Sequence, residues 1–346
     1  MSASWIVKFG MVVLTAAFKL RLPLEWVIRK TLFRQFVGGE TIEDCGETIK
    51  RLSDFGIGTI LDVAVEGKQT DAAFEATHRE ILKTIALAKF NPSIPFCVFK
   101  VTGIANLRLE NKSRAEERVQ DICEAAHRSQ VRIFIDAEET WFQNTIDRLA
   151  TQAMERFNRD RAIVYNTVQM YRTDGMELLE RSIEEARRKS YFLGVKLVRG
   201  AYMEKERKHA EHQGRPSPIL PDKEACDRSF DRALEQLMNV LDRVSLCAGT
   251  HNEQSTLLLT ELMKKHGISP KDPRVYFAQL YGMGDFLSYN LADEGYNVAK
   301  YVPYGPVREV IPYLVRRAQE NTSVGGQSNR ELVLISNEIR RRSVAR

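Results

Sequence analysis

The feature that most constrains this chain is a rhythm: eight short apolar runs alternate with longer, charge-rich amphipathic segments. The runs begin at Thr59, Phe96, Val131, Ala162, Gly194, Val244, Val275 and Asn297. Runs this short, rich in β-branched and aromatic residues, read as buried strands. The stretches between them, such as Ala115–Ala126 and Cys226–Leu241, are long enough for helices. Strands that alternate with helices imply a parallel sheet with crossover connections. No linker breaks the pattern between Glu66 and Asn321, and eight repeats make a closed α/β barrel more economical than an open sheet.

Such a barrel predicts where chemistry belongs, because active sites form where the strands end. The residues at those ends are Glu66, Lys100, Asp136 with Glu138 and Glu139, Gln169, Arg199 with Tyr202, Thr250-His251-Asn252, Tyr281 and Tyr301. Any one of them has a mundane reading as a cap or solvated loop residue, but eight strand ends in register bring groups of both signs to one mouth. Gly56-Ile57-Gly58 and Gly282-Met283-Gly284 begin like a dinucleotide fingerprint, yet both lack its third glycine. A cofactor, if bound, therefore belongs at the barrel mouth.

The last strand leads into a second signal. After Asn297 come an apolar-aromatic strand, a Pro/Gly turn, and a helix in which Val307, Val310, Ile311, Leu314, Val315 and Ala318 recur at helical spacing. That spacing expects these residues to face the core and Arg316, Arg317 and Glu320 to lie off the stripe, with Pro312 kinking the first turns. Adjacent arginines beside a strand end can grip a small carboxylate or a phosphate through forked hydrogen bonds. A solvated charged face explains the same pattern equally well.

Composition excludes several classes. With 346 residues, 43% of them hydrophobic, the chain can bury a large core and points to a globular, intracellular protein. Five scattered cysteines without a paired spacing argue against a disulfide framework and a zinc site, and no structural metal is expected. A net charge of +5 gives no reason to propose nucleic acid as a partner. Its location says more: residues 1–37 hold Lys8, Lys19, Arg21, Arg29, Lys30 and Arg34 against Glu25 alone. The uncharged run Phe9–Phe18 is too short to span a bilayer, and no small-residue cleavage site follows it. With Trp5, Phe9, Phe18 and Trp26, the segment reads either as a basic helix lying on an anionic membrane or as a helix packed on the domain. It also loosely resembles an organelle presequence. The expected organisation is an N-terminal helical segment over 1–50, a barrel over 51–325 and a C-terminal helix or tail over 326–346.

AspAlaGluGlu at Asp136–Glu139, LysLeuValArgGlyAlaTyr at Lys196–Tyr202, ThrHisAsn at Thr250–Asn252, TyrValProTyrGlyPro from Tyr301 and TyrLeuValArgArg from Tyr313 resemble the proline dehydrogenase family. The resemblance runs from about Gln35 to Asn321 and is closer to the mitochondrial-type enzymes than to the large bifunctional bacterial ones. It implies a distorted (β/α)8 TIM-like barrel with extra N-terminal helices, noncovalent FAD, oxidation of L-proline to 1-pyrroline-5-carboxylate, and electron delivery to a membrane quinone. Arg316 and Arg317 match the family's carboxylate clamp, assisted by Lys100. Glu66 matches the carboxylate that closes the site, while Tyr202, Leu280 and Tyr301 match residues packed around the substrate ring. Asp136 matches an acidic residue near the clamp. Gln169, Lys196, Val198, Gly200, Ala201, Thr250, His251, Asn252 and Glu320 match cofactor contacts, and Lys223 would be a further one. Lys196 replaces an arginine found in the bifunctional enzymes, and lysine cannot fork.

The implied location is the cytoplasmic face of an inner membrane or, alternatively, the mitochondrial inner membrane and matrix. Two rivals share these motifs: a hydroxyproline dehydrogenase and a barrel that binds without catalysing. The resemblance implies that position 301 discriminates between proline and hydroxyproline: tyrosine there would crowd the ring carbon that carries a hydroxyl, which favours proline.

Overall fold

The computed structural model describes residues 32–64, 70–107, 112–323 and 340–341. Each apolar run is a strand: β1 Ile57–Val63, β2 Phe96–Lys100, β3 Arg132–Asp136, β4 Val164–Gln169, β5 Leu193–Val198, β6 Val244–Gly249, β7 Val275–Leu280 and β8 Val298–Tyr304. All neighbours pair in parallel, and β8 returns to β1 to close the barrel. β1 starts at Ile57, so Gly58 lies within it.

Helix α1, Gly46–Ser53, precedes the barrel, as does a helical turn at Arg34–Phe36. The crossovers carry α2 Asp71–Phe90, α3 Lys112–Ser129, α4 Thr140–Phe157 and α5 Gly175–Lys189. Two helices, α6 Met203–His212 and α7 Lys223–Met238, separate β5 from β6, then α8 Glu253–Lys265 and α9 Asp285–Asp293 follow. The starts of α2, α7 and α8 are capped by the side chains of Thr70, Asp222 and Asn252, each accepting a backbone N–H of the first turn.

Alternate residues of each strand face outward and inward. The outward ones, such as Leu61, Cys97, Phe99, Ile133, Ile135, Val164 and Leu246, join the helices in the main core. The inward ones, Ile60, Phe96, Val98, Phe134, Tyr165, Cys247, Ala278, Ala299 and Tyr301, fill the barrel. The five cysteines are buried free thiols: Cys45, Cys97 and Cys123 in the main core, Cys247 in the barrel, and Cys226 in a small cluster with Tyr171 and Ile219.

The last helix, α10 Val307–Ser323, departs from the regular plan. Its Val307, Val310, Tyr313 and Leu314 pack with Phe33, Phe36 and Val37, with Ala64 just beyond β1, and with Met283 just beyond β7. Those contacts lie at the C-terminal ends of the strands, so α10 rests on the barrel mouth. It runs unbroken through Pro312. Pro312 and Arg308 are both exposed, so water can take the carbonyl that proline's missing N–H leaves open. Among the described residues no helix is long and apolar enough to cross a membrane, and the basic segment 1–31 lies outside them.

Candidate active site

The top of the barrel interior is charged. Asp136 at the end of β3 receives hydrogen bonds from Lys196 Nζ on β5 and from the Tyr301 hydroxyl on β8. Lys100 at the end of β2 is level with Asp136 in the sheet register and reaches Asp62 Oδ2 on β1 at 3.4 Å. Two carboxylates, two ammonium groups and a phenol from five strands thus share one layer. Burial acts to raise the Asp136 carboxyl, but Lys196, Lys100 and the two hydrogen bonds together hold it below the ordinary range. The Asp62 carboxyl is pushed up by burial, which is only partly offset by Lys100 and reinforced by the Asp136 charge. Burial, then the Asp136 and Asp62 charges, drive the Tyr301 phenol well above its usual value, so Tyr301 stays a hydrogen-bond donor. The Lys100 side chain is 19% exposed against 8% for Lys196. Lys100 therefore faces the mouth, while Lys196 lies deeper, 4.7 Å above the Tyr301 ring.

Residues from β4 to β6 form one wall. Gln169 is buried and its Oε1 has no partner among the described residues, nor has Thr167 Oγ1 below it. Gly200 follows β5 at φ +130, and a Cβ there would meet the Tyr171 ring at 2.5 Å, so only glycine lets the backbone come this close. Val198 at the end of β5 is level with Gln169, and Ala201 beyond it is exposed. Thr250 Oγ1 accepts from Arg199 at 2.6 Å and from the Asn252 N–H at 3.0 Å. His251 Nε2 accepts the Leu280 N–H at 3.3 Å. Burial, then the Lys300, Arg317 and Arg199 charges, push that imidazole down to about 3, so His251 is neutral with its proton on Nδ1. Orphaned acceptors on β4, a buried ammonium on β5 and bare backbone at Gly200 suit a flat heteroaromatic ring that carries both N–H and C=O groups. The residues present therefore fit a flavin. Among the described residues no group of three or more His, Cys, Asp or Glu could hold a metal ion.

Above these lies α10. Arg317 is buried, one turn from Leu314 and two from Val310, with its guanidinium 4.9 Å over the Tyr313 ring. This corrects the expectation that both arginines lie off the buried stripe: helical spacing puts 310, 314 and 317 on one face, and that face turns to the mouth. Arg316 is half-buried. Its charge, with those of Lys100 and Glu138, acts on the Tyr202 phenol, which burial raises. Leu280 sits beside Tyr301 in register.

Other expected residues fall elsewhere. Tyr281 turns outward and accepts a hydrogen bond from Arg51 of α1. Lys223 is exposed and paired with Asp227, which ties it to α7. The Asn252 side chain accepts the Ser255 N–H as the cap of α8. Arg199 is occupied by Asp227, Thr250 and Ser255. Glu66 and the Glu320 side chain lie outside the described residues, as do the tail beyond 323 apart from 340–341 and most of the 1–50 segment.

Two buried charged residues, Asp62 and Lys300, were not singled out from the sequence, whereas Glu138 was expected at a strand end. Asp62 stands two residues after inward-facing Ile60, so strand alternation within ThrIleLeuAspVal carried the signal. Glu138 accepts the Thr102 N–H at 3.0 Å and the Thr102 hydroxyl, and burial pushes its carboxyl up to about 7. Lys300, next to Tyr301, is buried on the outer side of β8, and no pattern in the sequence marks it.

A sequence profile of the family described as proline dehydrogenase matches residues 45–330. The chain is 33% identical to proline dehydrogenase 1, mitochondrial, of Dictyostelium discoideum, over 93% of this chain and 67% of that protein. It is also 31% identical to a hydroxyproline dehydrogenase of Xenopus laevis, over 93% of this chain and 80% of that one. Among solved structures, proline utilization A from Bdellovibrio bacteriovorus, inactivated by N-propargylglycine, superposes with a TM-score of 0.78 at 20% identity. That match covers 85% of this chain and 33% of the larger bacterial protein, and at this identity it speaks for the fold alone.

Proposed function

This chain belongs to the proline dehydrogenase family, and on that premise we propose that it oxidises L-proline to 1-pyrroline-5-carboxylate with FAD as electron acceptor, passing the electrons to a membrane quinone. The observation that carries this reading is the helix bearing Arg316 and Arg317 laid across the mouth, above the layer that joins Lys196, Asp136 and Tyr301. When bound, FAD supplies a two-electron acceptor for the hydride lost from the ring carbon beside nitrogen, while the amine gives up a proton.

The chain's own residues supply position and field. Arg316 and Arg317, helped by Lys100, grip the substrate carboxylate, with Glu66 closing over it. Leu280, Tyr202 and the Tyr301 ring confine the hydrocarbon part and exclude water. Asp136 fixes both Tyr301 and Lys196, so it orients the site. Lys196 favours negative charge on the reduced acceptor. Gln169, Val198, Gly200, Ala201, Thr250 and His251 form the wall that holds the cofactor, with Asn252 acting through its cap, and Glu320 and Lys223 complete the proposed cofactor contacts.

The hydroxyproline reading has support in the Xenopus relative. Against it stands the Tyr301–Asp136 hydrogen bond, which prevents the phenol from swinging aside for a ring hydroxyl. A barrel that binds without catalysing has no use for so many buried charges in one layer. We further propose that residues 1–50 attach the protein peripherally to an inner membrane, mitochondrial or bacterial, with 51–325 as the catalytic barrel and 326–346 as its tail. Turnover of L-proline and trans-4-hydroxy-L-proline with an artificial quinone, trapping the cyclic imine product, tests the reaction. The expected result is imine from proline with a higher kcat/KM; no imine from either substrate by flavin-loaded protein would rule the reading out.

A further inference from the structure

Lys300 is a lysine with its side chain only 1% exposed, placed on the outer side of β8 and away from the charged layer inside the barrel. Its ammonium donates to the Met283 carbonyl at 2.6 Å and to the Leu280 carbonyl at 3.4 Å, and pairs with Asp285 Oδ1 at 2.8 Å. Leu280 ends β7, Met283 lies in the turn that follows, and Asp285 opens α9. That turn needs holding: Gly282 and Gly284 are both left-handed, at φ +75 and +60. It is also crowded on every side. A Cβ at Gly282 would meet the Gln35 carbonyl at 2.2 Å, and one at Gly284 would meet His251 Nδ1 at 2.8 Å. Ser288 donates to Gln279 Oε1 at 2.8 Å, and Gln279 to the Thr250 carbonyl at 3.3 Å. The turn begins at Leu280, whose N–H is taken by His251 and whose side chain packs in both the interior and the mouth clusters.

We propose that Lys300 is a positioning residue that sets ring-size selectivity: by clamping the Leu280–Asp285 turn from behind, it fixes how far Leu280 stands from the substrate ring. The proposal rests on the proline-oxidising reading. A buried ammonium donating to two carbonyls around one turn leaves that turn little freedom, since removing the donor takes the 2.6 Å bond from the Met283 carbonyl and leaves the Leu280 carbonyl with the Met283 N–H at 3.2 Å. The turn would then reopen around its two glycines, and the Leu280 wall would recede.

The test compares full-length, FAD-loaded wild type with Lys300→Met, Lys300→Arg and Asp285→Asn. Steady-state rates are measured on L-proline and on its six-membered homologue L-pipecolate, and amide hydrogen exchange is followed across residues 280–285. Lys300→Met is expected to raise the proline KM by roughly tenfold, the scale of one lost charged hydrogen bond. The kcat should change far less, the proline-to-pipecolate ratio of kcat/KM should fall, and exchange in the turn should accelerate. Lys300→Arg should restore most of the ratio, and Asp285→Asn should shift it in the same direction by less. An unchanged ratio in folded Lys300→Met, or equal losses on both substrates, overturns the proposal. If Lys300→Met does not fold, wild-type selectivity together with wild-type exchange in Asp285→Asn overturns it equally. Exchange does not depend on turnover, so a wild type that ignores proline would defeat the proposed function without deciding whether the clamp exists.

Discussion

The lower and upper halves of the barrel interior are built from the same strands a few residues apart, yet their chemistry is opposite. Below, Phe96 and Phe134 stack at 4.3 Å, with Tyr165 and Tyr276 edge-on to Phe96 at 5.4 and 4.9 Å. The Arg132 guanidinium lies 4.6 Å and 4.7 Å from the Phe96 and Tyr276 rings. Above, Asp62, Lys100, Asp136, Lys196 and Tyr301 replace rings with charges. The lower half gains from dispersion and aromatic geometry and needs no substrate to be complete. The upper half holds buried charges whose desolvation costs energy, and the Thr167 and Gln169 side-chain oxygens in it have no hydrogen-bond partner among the described residues. One sheet thus separates stability from chemistry by height along its strands.

The separation breaks if a lower-half substitution changes substrate recognition. Phe96→Ala should cost about 3–5 kcal/mol of folding stability, read from denaturant midpoints, while the molecules that remain folded keep the wild-type proline KM. Next in size, Arg317→Met should raise that KM on the order of a hundredfold, corresponding to the about 2–5 kcal/mol lost when one partner of a buried charge pair is removed. Its unfolding midpoint should move much less than that of Phe96→Ala; an unmoved KM would make Arg317 a packing residue.

The upper half should also respond to pH where the lower half cannot. Glu138 has its folded carboxyl raised from 4.5 to about 7, so the folded state binds a proton more tightly than the unfolded one. The stability this gives is complete below pH 4.5 and is lost as pH rises to about 7. Glu138→Gln should flatten that slope, by a few kcal/mol at most, whereas Phe96→Ala should lower the whole profile in parallel. A wild-type slope retained in Glu138→Gln would assign the titration to another group. The smallest expected effect is on selectivity. Tyr301→Ser should weaken proline use while relatively favouring trans-4-hydroxy-L-proline, shifting the ratio of kcat/KM by about tenfold. A fixed ratio would mean that Tyr301 does not touch the ring.

The two halves also differed in how far the sequence announced them. Strand periodicity exposed all eight strands, because strands of a parallel sheet buried on both faces read as short, near-continuous apolar runs, and here longer amphipathic segments separate them. The same alternation pointed to the residues at the strand ends. It could not say which face an ending residue takes once the strand stops, and so Tyr281, read as a mouth residue, turns instead to Arg51. Arg317 was misplaced for a related reason. A guanidinium looks polar in a helical pattern, whereas the mouth it faces is itself polar, so burial and charge coincide there. Lys300 lay beyond reach, since the Leu280 and Met283 carbonyls it holds leave no mark in residue types, and Asp285, its ion-pair partner, reads as an ordinary acidic residue in the first turn of a helix.

The central claim is that the charged upper layer and the arginine helix above it hold proline against a flavin. Anaerobic addition of L-proline to the purified, FAD-loaded protein, followed by absorption, measures this most directly. The account predicts a yellow protein whose flavin band bleaches with proline and returns when a quinone is added. A protein that cannot be loaded with FAD, or that stays yellow under saturating proline, would contradict it.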